Sequence, residues 1–544
     1  TGSRALVPEW FTKERKVMFT ISRRNLITAA VLTAVTSPAW AKTQTINTDI
    51  VIIGGGLGGL SAGSTAVKHG ARVVVLEKLG VLGGAGHFPE GSLGVQTTWQ
   101  KAHGINTTVD QVLDASLEYH HFRADPEVLR ALIAGSTDTI NEILNEAHIG
   151  MRGIRTMYPK NESLMTWHLF KGGCEAVLDY YEKNIRAAGD RAQILTSTPA
   201  QKLLTNNGQI VGVEAKSAKG DTIFVMAKKV IIATGGFAAN KEMIAKYVAD
   251  SSTPGMVEPI WLRGPEKDGR TGDGINMAQL VGAGLAGMQT VAGNAPYLPD
   301  NPPIRQFSGP DYLKQGRCAL AQPWLWVNHE GKRFFNESRG SVFVDVYNAM
   351  TTAGGVMYTI FDQKKMDTMV NKGALLPFNA IVLAGVPLKE LPKTWEEGMK
   401  RGWAFKADTI EDLANQIGVP PKNLRATMER VNKFAAEKKD PDFGRKPEHL
   451  EAFDMNHGPY YALKGIRAYF LTLGGVTVTP RFEAKNLQGD VIPNLYVIGQ
   501  DIGGLYDSTY DLRCEGSASS FAMTSGRLAA IHAIDAIKGK TSSM

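Results

Sequence analysis

The chain has 544 residues and only three cysteines, Cys174, Cys318 and Cys514, an odd number spread far apart. That excludes a disulfide-stapled scaffold. With no C-x-x-C pair there is no zinc pattern, and with no C-x-x-C-H run there is no c-type haem attachment site. The apolar stretch 26–36, LITAAVLTAVT, is too short for a bilayer, which needs about 20 residues. No Lys/Arg run is interleaved with aromatics, so nothing points to nucleic acid. Internal repeats and low-complexity tracts are absent as well. What remains is an ordinary soluble composition, 43% hydrophobic and 21% charged, with a net charge of +7 that lies partly in the basic N-terminal stretch.

Glycine is where the sequence becomes specific. The apolar run Ile50 to Ile53 breaks into GGGLGGLSAG, which contains G-x-G-x-x-G at Gly54, Gly56 and Gly59, with Leu57 among the expected cofactor contacts, and opens a helix. The run VVVLEK follows and ends in Glu77 and Lys78. Strand, tight turn, helix and acid-ended strand form a dinucleotide fingerprint. Its glycines make the turn, let the backbone approach a pyrophosphate and let the helix pack on the sheet. The helix N-terminus takes the pyrophosphate and the acid takes a ribose hydroxyl.

Further segments favour FAD over NAD. A glycine-rich loop follows Glu77, with Gly83, Gly84, Ala85 and Gly86. KKVIIATGGF gives a strand ending at Ala233, Thr234 and Gly235, and NLYVIGQDIGG gives another ending at Gln500 and Asp501. Asp501 is placed to reach the ribityl or pyrophosphate region, and TGDG with Asp273 precedes a further helix.

These motifs, together with GKRFFNES, DPDFGR, TLGGV and RCEGSASSFAMTSGRLAA, resemble the flavoprotein subunits of the fumarate reductase and succinate dehydrogenase superfamily. The likeness is to the soluble branch with flavocytochrome c fumarate reductases, urocanate reductase and 3-ketosteroid dehydrogenases, and it spans roughly 46–538. It implies an α/β fold: a Rossmann-like FAD-binding domain, split in sequence, with an inserted α+β capping domain. The divisions expected are 1–41 for an extension and signal, 46–293 and 467–538 for the flavin domain, and 294–466 for the cap. FAD is expected to be non-covalent, because the spacing around His87 does not match relatives that attach it.

The resemblance also implies a site. Arg513 in LRCEGSASS matches an arginine that clamps a substrate carboxylate, and Gly516, Ser517 and Ser519 in the same run fall beside the flavin. Thr472, Gly474 and Gly475 form the family's substrate-binding turn. The histidine that usually precedes that turn is Leu471 here. At the family's proton-donating arginine a gapless match puts Ser341, leaving Arg339 as the nearby candidate. One carboxylate anchor is kept and another lost, which suits a mono-carboxylate or aryl-acrylate-like acid rather than fumarate. Tyr506 and Tyr510 in LYDSTYD are candidates to stack on a ring or give a proton. The expected reaction passes a hydride from flavin N5 to the β-carbon of an activated C=C bond, followed by protonation. The alternatives are a ketosteroid-like dehydrogenase, a fumarate reductase proper, and an electron carrier without a substrate of its own.

Ser22-Arg23-Arg24-Asn25-Leu26-Ile27, the short apolar stretch and Pro38-Ala39-Trp40-Ala41 read as a twin-arginine signal with a cleavage site. Met18 reads as the start and residues 1–17 as upstream sequence. The expected location is the periplasm, with no span left after cleavage and with electrons from a separate cytochrome c or quinol-linked partner. Helices are expected over 108–147 and 172–188 and a β-meander over 193–228. In the cap, an Asp408-x-x-Glu411 capping box and a helix starting at Pro421 are expected. Trp324 and Trp326 share one strand face, more suited to core than to pocket. His120-His121 reads as a solvated helix face, not a metal site.

Overall fold

The computed structural model describes residues 42–157, 163–248, 269–299, 310–379 and 381–540. The expected extension and signal, 1–41, lies outside the described residues, as does most of the Pro- and Gly-rich segment 293–310.

Five strands run parallel in the order 491–497, 222–232, 43–53, 73–76 and 192–195. Ile50–Ile53 pair with Val73–Leu76 on one side and with Lys229–Ile232 on the other. These strands read as unbroken apolar runs because both sheet faces are covered, and Ile50, Val51 and Ile52 are fully buried. The fingerprint helix, Leu57–Lys68, packs on the C-terminal helix, Ser517–Ile537. Small residues allow the close approach: a Cβ at Gly526 would stand 2.3 Å from the Gly58 carbonyl oxygen. The strands Ala200–Asn206, Gln209–Lys216 and Thr222–Ile232 form the meander. Its expected first member, Ala192–Leu195, instead joins the parallel sheet beside Val73–Leu76.

A second sheet is built around the 13-residue strand Tyr460–Thr472. One end of this strand pairs with Val356–Asp362 and Ala404–Ala407, and the other with Val291–Tyr297. The divisions expected at 293/294 and 466/467 therefore fall inside paired strands. Leaving the flavin domain does not break the backbone ladder, so no loop marks the boundary. Around the first end lies a hydrophobic core drawn from residues 298–463. Trp324 is part of it, while Trp326 joins Phe237, Ile275 and Tyr469 in a cluster at the junction.

Two local expectations change. Helix Ile410–Ile417 is capped by Thr409, whose hydroxyl accepts from Asp412 N at 3.1 Å, not by Asp408. Glu411 is paired with Arg425 instead, at 2.8 Å. His120 ends helix Val109–Tyr119 but is 1% exposed, edge-on to the Tyr506 ring and accepting from Asp507 N at 3.3 Å, so the Tyr506–Asp507 segment packs against it. His121 is the solvated one of the pair, and among the described residues no cluster suited to a metal occurs.

Candidate active site

A cavity with about 1260 Å³ of empty space runs along the C-terminal ends of the parallel strands. In such sheets this is where ligands bind, at the crevice outside the strand ends. Its walls include Ile53, Leu76, Glu77, Lys78 and Ala200 from strand ends and the residues after them, and Gly54, Gly56, Leu57 and Gly84 to Gly86 from the glycine loops. Phe88, Phe470, Leu471, Gln500, Ala518 and Ser519 line it as well.

The glycines divide by what a side chain would meet. At Gly54, with φ +111°, a Cβ would stand 2.2 Å from the Ala233 carbonyl oxygen, so the neighbouring strand end requires glycine. At Gly59 it would stand 1.9 Å from the Gly54 carbonyl oxygen. At Gly56 it would meet no protein atom nearer than Gly83 O at 3.8 Å. Gly84 faces Gly56 across the same gap, with a Cβ clearance of 3.9 Å to its Cα. The protein leaves this channel open between two side-chain-free surfaces at a helix N-terminus, which suits a pyrophosphate.

Glu77 is 8% exposed and accepts from Gly55 N and Leu79 N, each at 2.8 Å. Burial pushes its carboxyl up, and the N–H groups of Leu79 and Gly55 only partly offset this. It lines the cavity with acceptor capacity left for a ribose. Lys78 donates to Thr271 Oγ1 at 2.6 Å and Asp273 Oδ2 at 2.7 Å, tying TGDG to the acid-ended strand. Asp273 lines the cavity as part of this pair.

Asp501 sits elsewhere than expected. It is fully buried and is not among the residues lining the cavity. Its carboxylate accepts from Gly235 N at 3.1 Å, Gly236 N at 2.9 Å, Thr234 Oγ1 at 3.0 Å and also Thr234 N. Burial pushes it up against those donors. The aspartate shapes the turn that presents Thr234 and Gly235 to the cavity. Thr472 braces the same turn, its hydroxyl accepting from Phe237 N at 3.0 Å, rather than facing a substrate. Gly474 and Gly475 are buried for contact reasons: a Cβ would stand 2.3 Å from Met288 Cα and 2.1 Å from Asp501 O respectively.

The remaining candidates separate. Gly83 and Gly59 shape the channel from behind, Gly83 through its N–H bond to Gly55 O at 2.8 Å. Gly516 adopts φ +87° at the start of the C-terminal helix, and Ser519 Oγ donates to Gly91 O at 2.8 Å. The Tyr506 hydroxyl donates to Ser517 Oγ at 3.0 Å, and the Tyr510 hydroxyl accepts from Ala518 N at 3.1 Å. Both phenols cap this helix from behind instead of facing a substrate, and burial pushes both up. Arg513 also turns away. Its guanidinium donates to the Ala115 carbonyl and lies 5.1 Å from the Tyr119 ring. Arg339 is an ion-pair partner of Asp345, with Nε–Oδ2 at 2.9 Å, which opposes a donor role.

Sequence reasoning missed Arg270, 5% exposed, whose Nη1 donates to Phe470 O at 2.6 Å on the cavity wall. It also missed Phe88, Phe470, Ala518 and Ala522. The last two are four apart on one helix face, a spacing that could have found them. Phe470 packs on Phe88 at 5.1 Å and on Phe343 at 5.4 Å between ring centres. Two residues before Phe343, Ser341 lines a second cavity with about 810 Å³ of empty space, together with Arg155, Met157, Trp167, Pro377 and Asn379.

Among known proteins, a family model described as FAD binding domain matches residues 49–516. A vinyl phenol reductase of Lactiplantibacillus plantarum is 31% identical over 493 residues, covering 89% of this chain and 96% of its own. A urocanate reductase of Eggerthella lenta is 27% identical over 464 residues, covering 84% and 70%. A solved 3-ketosteroid-Δ4-(5α)-dehydrogenase of Rhodococcus jostii RHA1 matches with a TM-score of 0.68 at 23% identity over 92% of this chain and 98% of that one, a likeness of fold alone.

Proposed function

The chain belongs to the FAD binding domain family and is a FAD-dependent oxidoreductase, and from that premise we propose that it reduces an activated C=C bond conjugated to an aromatic ring or to a single acid group, rather than fumarate. The observation that carries this is an apolar part of the cavity wall. Phe88, Phe470 and Leu471 belong to it, and Leu471 stands where the family keeps a carboxylate-binding histidine. Ser341, at the family's arginine position, lines the second cavity with Trp167 and Met157. Two charged positions of a dicarboxylate site are thus neutral, while aromatic surface is plentiful. The named relatives, a vinyl phenol reductase and a urocanate reductase, support the same direction.

Bound FAD supplies the two-electron hydride chemistry. The chain's own part is to hold and exclude. Glu77 and the Gly54–Gly59 turn would hold the dinucleotide, and Asp501 fixes the Thr234–Gly236 turn against it. Phe88 and Phe470, the latter backed by Phe343, would keep water from this part of the cavity, where a polarised acceptor gains most from fixed dipoles. The ketosteroid-type alternative asked for tyrosines at the ring, and here both phenols are engaged behind the C-terminal helix.

The proposal includes export by the twin-arginine signal read at 22–41 and electron supply by a separate cytochrome c or quinol-linked partner. The test is anaerobic: protein reduced by methyl viologen, then offered fumarate, urocanate, cinnamates, acrylate, 4-vinylphenol and ketosteroids. Dye reoxidation by an aryl-conjugated alkene and not by fumarate is the expected result. Turnover of fumarate alone, or bleaching of oxidised flavin by a saturated ketosteroid, overturns it.

A further inference from the structure

Helix Asp311–Leu320 carries a buried cation that nothing above uses. Arg317 is 2% exposed. Its Nη2 donates to Asn294 Oδ1 at 2.7 Å, its Nε has no partner, and neither has the adjacent Asn294 Nδ2. The guanidinium carbon lies 5.2 Å from the Phe378 ring centre and 5.7 Å from that of Tyr297. Among the described residues no carboxylate pairs with it. Burial pushes the guanidinium down to about 9. Arg333 and Arg445, buried in the same region, do meet acids. An isolated buried charge is costly, and aromatic faces with one amide oxygen recover only part of that cost. Unpartnered N–H groups on Arg317 and Asn294, framed by two rings, form a receptor for an oxyanion carried on an unsaturated or aromatic body.

Its position fits such a ligand. Asn294 pairs with Ala468 on the connecting strand, two residues from Phe470 on the flavin cavity wall. Phe378 stands between Pro377 and Asn379, which line the second cavity with Ser341. A Cβ at Gly340, next to Ser341, would stand 2.3 Å from Ala321 O, and Ala321 is one helical turn beyond Arg317. Arg317 itself lines neither cavity, but its Asn294 and Phe378 neighbours connect it to residues of both walls, and Ala321 connects it to Gly340 beside the position where the family's arginine is serine here.

We propose that Arg317, assisted by Asn294 Nδ2–H, is the substrate's anion anchor, binding the carboxylate or phenolate oxygen of the aryl-conjugated alkene. The substrate class rests on the reductase reading above. The anchor has replaced the lost cation by one from a different element of the cap.

The test reads binding without turnover, from perturbation of the bound-flavin absorbance in the oxidised holoenzyme. The probes are 3-phenylpropionate, its methyl ester and 4-cyanophenol, a more acidic phenol that is partly ionised at a pH where Arg317 is still charged. Arg317→Gln is expected to weaken one of the two anionic probes by about 10- to 100-fold and leave the ester unchanged, and which probe responds identifies carboxylate or phenolate as the ligand. Asn294→Asp is the second variant, in case the first fails to load FAD. It supplies an internal counter-ion, so it is expected to raise the melting temperature while abolishing anion binding. Equal anion binding in wild type and variants, equal loss of acid and ester, or no anion binding by the wild type overturns the anchor. Silence of the wild type in the viologen assay with anion binding intact refutes the reaction and not the anchor. Turnover unaffected by either variant refutes the anchor and not the reaction.

Discussion

The flavin cradle and the cap bury carboxylates equally deeply and satisfy them in opposite ways. In the cradle, Asp501 faces only neutral donors, the N–H groups of three consecutive residues and one hydroxyl. In the cap, Glu337 and Asp440 face Arg333. Its Nη2 lies 2.5 Å from Glu337 Oε2 and 2.7 Å from Asp440 Oδ2, with Arg445 Nε 3.8 Å from Glu337. Burial alone would raise Asp440, but the Arg333 hydrogen bonds hold it well below the usual range. Asp501 keeps its upward shift. The difference teaches what each device is for. Backbone amides organise a turn without adding side-chain bulk beside a cavity. An ion network joins GKRFFNES to DPDFGR across more than a hundred residues, at positions that line neither cavity described above.

The largest break in this contrast is Arg333→Met. It strands two buried carboxylates and is expected to cost about 3–5 kcal/mol, read from denaturant unfolding followed by the buried tryptophans Trp324 and Trp403. A cost of a few tenths would reduce the network to a surface-type pair. Next comes Asp501→Asn, which turns an NH2 towards backbone donors and is expected to cost about 1–3 kcal/mol. Here the loss should appear in the flavin domain, as protection lost at Thr234–Gly236 in hydrogen exchange, with the cap unaffected.

Gly56→Ala sharpens the comparison from the ligand's side. Its Cβ enters the channel and not the protein, so apo stability should hold while FAD affinity falls by about 1–3 kcal/mol. Unchanged FAD content after dialysis would remove the pyrophosphate from this channel.

The smallest effect is in acid. Asp440 has a folded value below its ordinary 3.8, so its contribution is present above 3.8 and lost as pH falls through the folded value. Glu77 and Asp501 are shifted up. Their ionised forms cost stability at neutral pH, and acidification through the folded values recovers it. On lowering the pH below about 4, exchange at Arg333–Glu337 and Asp440–Arg445 should rise before exchange at Ile50–Gly59. The reverse order would sink the assignment.

Much of the cradle was legible in sequence because it is made of local backbone requirements. Gly54 needs a positive φ beside Ala233, Gly59 needs contact with Gly54, and IVII needs cover on both faces. These are properties of a few consecutive residues, so the fingerprint reads without neighbours. The parallel sheet, the acid-ended strand and the open channel at Gly56 followed from them. Side-chain direction did not. Whether Arg513 clamps a substrate or donates to Ala115, and whether Asp501 reaches the cavity or braces a turn, depends on which chain passes behind each residue. That is set by packing between segments more than two hundred residues apart.

The sequence by itself therefore determined a FAD-binding α/β protein with neutral residues at two family charge positions, because those facts reside in residue identity and short-range geometry. Only the tertiary structure decided that Arg513 and Arg339 are already engaged, that the connecting strand runs unbroken from cap to cradle, and that Arg317 is buried without a carboxylate partner among the described residues. Charge balance in a core is a sum over neighbours that the order of residues does not reveal.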